Sequence, residues 1–281
     1  MSADVPGPVV SRRREVSHAS ARSLLMTVLG EFVLPRDQPV WTATLVESLA
    51  MFGIEEKSAR QALSRTAAEG WLESQRRGRR VRWSLTPQGR RLLTEGAERI
   101  YGFGRDERDW DGTWVVLLVS VPEAKRDLRH QLRTRLTWAG FGSPMPGVWI
   151  SPDRRRETEA KHIVAELLPE SAAMSFVASY GQLGDEAELV ARSWDLSEVE
   201  RRYAEFIDEF TGLDPGHDVL HAQIRLVHEW RRFPFLDPRL PLRLLPPNWH
   251  GVKAAQLFHD KHDAWWPASQ QHWDELVAKE Q

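Results

Sequence analysis

The sequence contains no cysteine, and this absence excludes disulfide bonds, a thiolate nucleophile and zinc sites built on cysteine. It also lacks any apolar run approaching the roughly eighteen residues of a membrane-spanning helix, so no membrane partner is expected. The N-terminal residues include arginines but no apolar stretch after them, which is unlike a secretory signal. These features predict a cytoplasmic protein that begins with a flexible tail over residues 1–19.

The length and the distribution of charge predict several domains with different partners. A chain of 281 residues is long for one core, and 41% apolar with 28% charged residues is typical of a folded globular protein. Residues 1–100 contain sixteen lysines and arginines against eleven acids, a balance of +5. The remainder contains twenty-two against twenty-nine, a balance of −7. A basic head on an acidic body indicates that only the head meets a polyanion.

The stretch from Gly53 to Leu85 predicts a short helix followed by a hairpin. One helical face is formed by small and apolar residues at three- and four-residue spacing, namely Ala59, Ala62, Leu63, Thr66 and Ala67. Gly70 suits the position just after a helix, where a left-handed backbone favours glycine. Arg77 and Gly78 separate two β-prone runs, as the turn of a hairpin would.

This helix and hairpin carry the features of a DNA-binding surface. Between Lys57 and Arg91 there are ten lysines and arginines and two acids, a local balance of +8. The helix would read bases or contact phosphates, and the hairpin arginines would contact phosphates. The predicted DNA-binding residues are Lys57, Ser58, Arg60, Gln61, Ser64, Arg65, Arg76, Arg77, Arg79, Arg80 and Arg82. The alternative is a solvated helix and a charged edge hairpin, since edge charges also discourage aggregation.

The fold class predicted from the whole chain is α+β. Two helices precede the basic one: the first is capped by Ser20 and ended by Pro35, and the second contains Val40 and is capped by Thr42. Thr86 and Pro87 open a fourth helix. Three helices and a hairpin predict a winged helix-turn-helix domain over residues 20–103.

The remaining chain predicts two further domains. Strand, helix, strand, helix and strand patterns at 110–121, 123–139, 141–150, 156–168 and 175–180 predict a ferredoxin-like domain over residues 106–183. The strand at 110–121 is nearly continuously apolar and therefore predicts a central strand buried on both faces. Residues 184–281 predict a mostly helical domain with an irregular proline-rich connector at 234–247 and two last helical pieces.

Histidine spacing raises the alternative of a metal-dependent hydrolase or nuclease with a DNA-binding head. His217 and His221 are four residues apart with His228 beyond them, and His259 and His262 form a second pair. No glutamate follows His217 as in the HExxH signature, so we interpret these residues as exposed helix histidines. No nucleophile elbow or phosphate loop is present, and we expect neither catalysis nor a cofactor.

Several stretches resemble the PaaX family of bacterial repressors of phenylacetate breakdown. The similarity spans residues from about 20 to 278 and is carried by GIEEKSARQALSRTAAEGWL, WDGTWVVLLVSVPEAKRDLRHQLRTRLTWAGFG, PGVWISP and LPLRLLPPNWHGVKAAQLF. The resemblance implies a dimer that binds operator DNA and is released by an aryl-CoA thioester such as phenylacetyl-CoA. The middle domain also resembles the small nuclease-like subunit of CRISPR adaptation complexes, whose first strand ends in a metal-binding acid. Here that strand ends in Val119, Ser120 and Val121, without a carboxylate.

The resemblance leaves the effector site to be assigned from the sequence. Arg154, Arg155 and Arg156 could bind the phosphates of a CoA-type ligand or additional DNA backbone, or form only a solvated helix start. Trp249 could form part of an aromatic pocket, although core and dimer packing are the commoner uses of tryptophan. These four residues are the candidate effector site.

Overall fold

The computed structural model of the chain describes residues 20–105, 109–122, 125–169 and 173–280. The predicted tail at 1–19 lies outside the described residues. The described chain divides into two compact units, and it combines α-helices with antiparallel sheets. The first unit contains the residues up to Arg99, Asp214–Glu229 and those from Lys261 onward, and the second contains Ile100–Leu213 and Trp230–Asp260. The helical region predicted at 184–281 is therefore divided between the units.

The N-terminal part of the chain forms helices and a small sheet. Its elements are α1 (Ala21–Val28), a π-helical turn (Leu29–Val33), β1 (Val40–Trp41), α2 (Thr42–Ala50), α3 (Glu56–Ala68), β2 (Leu72–Arg77), β3 (Arg80–Leu85) and α4 (Pro87–Gly102). The three strands form an antiparallel sheet in the order β1-β3-β2. The helices, the hairpin and their chain order follow the sequence prediction.

Three local signals set the ends of these helices, and the structure confirms each of them. The Ser20 hydroxyl accepts a hydrogen bond of 3.1 Å from a backbone N–H in the first turn of α1. Gly70 follows α3 with a φ of +78°, in the left-handed region that favours glycine. The Thr86 hydroxyl accepts a hydrogen bond of 3.0 Å from the Gly89 backbone N–H at the start of α4.

The prediction for the second helix was wrong at its beginning. Val40 and Trp41 form strand β1, in which Val40 lies opposite Trp83 of β3. Thr42 is the first residue of α2 and not its cap. Its hydroxyl donates to the Val81 carbonyl at 2.9 Å and accepts from the Trp83 indole N–H at 2.9 Å. Pairing with the distant hairpin decides this local structure, and helical spacing does not reveal it.

The second unit contains a four-stranded antiparallel sheet. Its elements are β4 (Thr113–Val119), α5 (Arg126–Trp138), β5 (Gly142–Met145), β6 (Val148–Ser151), α6 (Arg156–Leu167) and β7 (Ala173–Ser179), and the strand order is β5-β6-β4-β7. Strand β4 is central and buried on both faces, as predicted. Val115 and Leu117 pack in one core cluster with Leu132 and Ile163, and Trp114 packs in a second cluster.

The region predicted as a turn and strand at 141–150 forms a hairpin of two short strands. Met145 of β5 pairs with Val148 of β6 across Pro146 and Gly147. Gly147 has a φ of +80°, which a type II turn requires after a proline. The proline and glycine therefore divide one apolar pattern into two short strands.

The chain after β7 is helical. Its elements are α7 (Glu186–Ser193), α8 (Leu196–Phe210), a 3₁₀ turn (Gly216–Asp218), α9 (Val219–Trp230), α10 (Phe233–Leu236), a second 3₁₀ turn (Leu242–Leu244) and α11 (His250–Ala278). Two predictions were wrong here. The proline-rich connector contains α10, because proline is tolerated in the first turn of a helix. The last helical pieces form the single helix α11, which continues through Pro267.

Residues from α9 and α11 complete the core of the first unit. Leu220, Ile224, Trp273 and Leu276 are buried in the same cluster as the apolar residues of α1, α2 and α3. Trp273 is fully buried and stacks on Phe32 with 5.0 Å between ring centroids. Among the described helices, none combines the length and the apolar character needed to cross a membrane.

We expect Trp273→Ala to lower the free energy of unfolding by about 3–5 kcal/mol, because it leaves a large cavity in this core. Trp138→Ala is the control, since the Trp138 side chain is 85% exposed and its loss should change stability little. Urea denaturation followed by circular dichroism measures both variants. Equal effects of the two substitutions would contradict this assignment of the core.

Candidate nucleic-acid interface

Helix α3 has a buried side and an exposed side. Ala59 and Leu63 are fully buried, with Ala62 and Thr66 beside them, and the helix packs against α1 and α2. Alanine at these positions allows the helices to approach closely. All six helix side chains predicted to face DNA are exposed, namely Lys57, Ser58, Arg60, Gln61, Ser64 and Arg65.

Helical geometry divides the exposed side into a centre and two flanks. Lys57, Gln61 and Ser64 lie opposite the buried stripe, and Arg60 and Arg65 lie on the flanks. Arg60 Nε donates at 2.7 Å to a glutamate one turn earlier, an exposed pair that contributes little to stability. Within the described part of the chain, the side chains of Lys57, Gln61 and Arg65 have no partner. The surface therefore presents free polar groups on a rigid helix.

Strands β2 and β3 form a hairpin with a two-residue turn of Gly78 and Arg79. Gly78 has a φ of +61° at the first turn position, which a type II′ turn requires. Arg77 and Arg80 form the last residue pair before the turn. The turn lies where the sequence predicted it, and the hairpin tip carries three arginines.

Two of the five hairpin arginines are held by the hairpin itself. Arg76 Nε donates at 3.0 Å to the Gly78 carbonyl, and Arg82 Nε donates at 2.7 Å to Gln75 Oε1. Cross-strand alternation places Arg82 on the face shared with Arg77, and Arg76 on the opposite face. The arginines are therefore not equivalent.

Arg80 has contacts that sequence reasoning missed. Its guanidinium lies over the Trp41 ring at 5.5 Å, donates to the Glu280 carbonyl and lies 3.8 Å from the Glu280 carboxyl. No sequence signal predicts contacts between residues so far apart in the chain. Arg77 and Arg79 have no side-chain partner among the residues that the structure describes. These two arginines are the most available for contacts outside the protein.

The paired histidines have different structural surroundings. Among the described residues, no group of three histidine, aspartate or glutamate side chains could hold a metal ion. His228 is buried, with Nδ1 3.0 Å from Thr27 Oγ1. His221 stacks on Phe52 at 4.4 Å between centroids, and burial lowers its pKa, as does the charge of Arg225. The interpretation as exposed histidines was wrong for these residues and holds for His217.

His262 belongs to a buried polar cluster in the first unit. Glu31 lies in the π-helical turn with a fully buried side chain, and its Oε1 accepts a hydrogen bond of 2.6 Å from Gln223 Nε2. His262 Nε2 lies 3.0 Å from the same oxygen. Burial lowers the pKa of His262, but the hydrogen bonds and negative charges of Glu31 and Asp263 together raise it, so its pKa lies above the ordinary value.

We expect His262→Gln to destabilise the protein most at low pH. Because the pKa of His262 is raised in the folded state, its protonation stabilises the fold fully below the unfolded-state pKa of about 6.5. This stabilisation is lost as the pH rises through the folded-state pKa. Urea denaturation across pH 5 to about 9 should therefore show the parent and the variant converging above about pH 6.5. His217→Gln is the control at an exposed histidine, and a gap for His262→Gln that is constant with pH would contradict the expectation.

The candidate effector arginines already have partners within the second unit. Arg154 Nη2 is 3.0 Å from Asp111 Oδ2, and Arg155 makes two hydrogen bonds of 2.9 and 3.1 Å to Asp153. Arg156 is mostly buried and donates at 3.0 Å to a backbone carbonyl just after α10. Arg154 and Arg155 are the exposed members of the three.

Arg156 and Trp249 lie around one partly buried pair, Tyr203 and Asp237. The Tyr203 hydroxyl donates to Asp237 Oδ2 at 2.7 Å, and Trp249 packs edge-on against Tyr203 at 5.7 Å between centroids. Burial raises the pKa of Asp237, whereas the Tyr203 hydrogen bond and charges that include Arg156 act in the opposite direction. The structure therefore brings these two predicted residues into one region.

An open surface cavity of about 540 Å³ lies between α5 and α6. Arg155 lines it together with Arg135, Trp138 and His162. Arg135 Nη2 is 2.8 Å from a glutamate of α6, and the Trp138 indole is 85% exposed. Sequence reasoning did not predict this cavity, because packing of two helices creates it.

Comparison with known proteins identifies related sequences along most of the chain. Three family models match: "PaaX-like protein" over residues 20–89, "PaaX protein central Cas2-like domain" over 107–190, and "PaaX-like protein C-terminal domain" over 194–275. The chain is 31% identical over 251 residues to the transcriptional repressor PaaX of Escherichia coli (strain K12), covering 85% of this chain and 78% of that protein.

A solved structure is similar as well. The uncharacterized protein Rv0674 from Mycobacterium tuberculosis aligns with a TM-score of 0.62 and 24% sequence identity. The alignment covers 92% of this chain and all of that chain. At this identity the similarity concerns the fold alone.

Proposed function

Since the chain belongs to the PaaX family, we propose that it is a sequence-specific repressor that binds double-stranded operator DNA as a homodimer in the cytoplasm. The family is one of transcriptional repressors and not of enzymes, so a metal-dependent nuclease or hydrolase is not favoured. The observation that carries the proposal is the exposed side of α3 beside an arginine-tipped hairpin. In this proposal the second unit's sheet and its two covering helices are the ferredoxin-like domain.

The first unit has the parts that a winged helix uses on DNA. Helix α3 would enter the major groove, and the β2–β3 hairpin would serve as the wing beside it. The central position of Gln61 on the exposed side suits a base contact, since glutamine can bond adenine through two hydrogen bonds. Arg60 and Arg65 on the flanks suit phosphates or guanine. The tip residues Arg77 and Arg79 suit phosphates.

Local charge supports the same surface. The region from Lys57 to Arg91 has ten cations and two acids. One of these acids, Glu69, is paired with Arg22. Concentrated positive charge in a chain of net charge −2 attracts the phosphate backbone through release of counterions.

An exposed apolar edge supports the homodimer. Strand β7 is at the edge of its sheet and is exposed along its whole length. Met174 and Phe176, on one face of it, are 55% and 51% exposed. Apolar side chains on an open sheet edge are typical of interaction surfaces. A dimer with two α3 helices would read two half-sites separated by about 34–36 Å or a multiple of it.

We expect Arg65→Ala to cost roughly 1–3 kcal/mol of operator affinity and to relax specificity at one base pair if Arg65 contacts a base. Arg60→Ala should act similarly, although its pairing with Glu56 lowers the expected effect. The measurement is titration of duplexes selected from a random-sequence pool and of their single-base variants. Arg192→Ala removes an exposed arginine from α7 and is the control. Unchanged operator affinity in both the Arg60 and Arg65 variants would exclude this assignment.

The double variant Arg77→Ala and Arg79→Ala provides a contrasting arm of the same experiment. Phosphates carry no sequence information, so selected and unrelated duplexes should be weakened alike. The melting temperature should stay unchanged, because both side chains lack partners in the described structure. A lower melting temperature with intact DNA binding would favour the edge-strand explanation.

We propose an effector on the basis of the family resemblance. An aryl-CoA thioester such as phenylacetyl-CoA would bind the second unit and stabilise a dimer whose α3 helices do not match the half-sites. Arg154 and Arg155 are exposed and could exchange their aspartate partners for ligand phosphates. Arg156 and Trp249 instead contact the region of Tyr203 and Asp237 within the fold. They are therefore weaker candidates for the wall of an acyl pocket.

We expect phenylacetyl-CoA to bind the full chain and to release it from operator DNA. The double variant Arg154→Ala and Arg155→Ala should weaken ligand binding at least tenfold while DNA affinity stays unchanged, because the lost contacts are charge-assisted. Calorimetry and DNA titration measure the two effects. Full-length protein is needed, since Leu220 and Trp273 complete the core of the first unit. No binding by the parent would remove the effector and leave the DNA proposal intact.

A further inference from the structure

Helix α5 carries a row of exposed basic side chains on a part of the chain that is otherwise acidic. Residues 101–281 have twenty-two lysines and arginines against twenty-nine acids, whereas α5 has Asp127 as its one acid. Arg126, Arg129, His130 and Arg133 are all exposed, and their spacing of three and four residues places them on one face. We refer to these four residues as the α5 stripe.

The α5 stripe is not neutralised by its own fold. Arg126, His130 and Arg133 have no side-chain partner within the described ranges. Arg129 makes one long contact of 3.4 Å with the Pro122 carbonyl. Leu132 and Leu136, on the neighbouring side of the helix, are buried in the core. The stripe therefore presents free positive charge on a helix fixed by packing.

Stability of the helix does not explain these residues. The N-terminus of a helix is the positive end of its dipole, so cations there are unfavourable. Arg126 and Arg129 nevertheless lie in the first turns of α5, after Lys125, which makes no capping hydrogen bond. Cations three and four residues apart also repel one another. Helix stability therefore gives no reason for cations at these positions.

We propose that the α5 stripe is a second contact surface for the phosphate backbone of duplex DNA, outside the α3 and hairpin surface. This inference rests on the proposed function, in which the chain acts on DNA. Arg126 and Arg133 are seven residues apart and so about 10.5 Å apart along the helix axis. Duplex DNA presents a charge every 1.7 Å or so of its axis, and a rigid row of this length can face several phosphates.

The chemistry of the stripe favours duplex DNA over other anionic partners. Membrane binding by a helix needs a large apolar face beside the cations, and the apolar side of α5 is buried in the core. Recognition of single-stranded nucleic acid uses aromatic side chains between the cations. The stripe has no phenylalanine, tyrosine or tryptophan, and Trp138 lies on a different flank of α5.

The test compares the double variant Arg126→Ala and Arg133→Ala with the control double variant Arg192→Ala and Lys253→Ala. Both remove two exposed cations from the second unit. Affinity of the full chain for mixed-sequence duplex DNA is measured over a series of salt concentrations. The plot of log affinity against log salt should become shallower by about two units in the stripe variant, at about 0.9 per phosphate, and should not change in the control.

Thermal melting provides the second readout. The stripe variant should melt at the same or a higher temperature than the parent, because it loses charges unfavourable for α5. An unchanged salt slope, an equal change in the control, or weaker binding together with a lower melting temperature would overturn the inference. A loss of binding to single-stranded RNA but not to duplex DNA would overturn it as well. If the parent does not bind duplex DNA, the proposed function fails. If the parent binds and the stripe variant has the same affinity and salt slope as the parent, only this inference fails.

Discussion

The core of the first unit depends on the packing of Trp273 against Phe32. This contact joins α11, near the end of the chain, to the π-helical turn that follows α1. Helix α3 packs against α1. Leu220 and Ile224 of α9 enter the same cluster, so apolar residues more than a hundred positions apart bury one another. Burial on this scale is the main favourable term in folding. The position of α3, and with it the surface proposed to meet DNA, therefore depends on the last helix of the chain.

A polar cluster accompanies this apolar contact. Glu31 lies in a π-helical turn, a feature often found at functional positions, and it binds Gln223 and His262 from α9 and α11. A buried polar group needs hydrogen-bond partners, so each helix can occupy few alternative positions. The cluster thus specifies how α9 and α11 are placed on the helix that continues from α1.

The two cationic surfaces differ in how many of their side chains have partners within the protein. On α3 and the hairpin, several arginines have partners within the protein, such as Arg80 with Trp41 and Glu280. On α5, the stripe faces solvent, and Arg126 and Arg129 lie at the helix end where cations are least favourable. The stability of α5 does not favour the second arrangement. Exposed charges cost the fold little and supply the long-range attraction on which association with a polyanion depends.

The sequence by itself determined the local elements and the composition of the candidate site. Helix caps such as Ser20 and Thr86, the Gly78 turn, the central strand β4 and the exposed set on α3 depend on residues close in the chain, and local periodicity reveals them. Tertiary structure alone decided the pairing of β1 with β3, the sharing of α9 and α11 with the first unit, the burial of His228 and His262, and the contacts of Arg80. These features join residues distant in the chain. Their free energy comes from burial and hydrogen bonds that exist only after folding, so the spacing of residues in the sequence does not predict them.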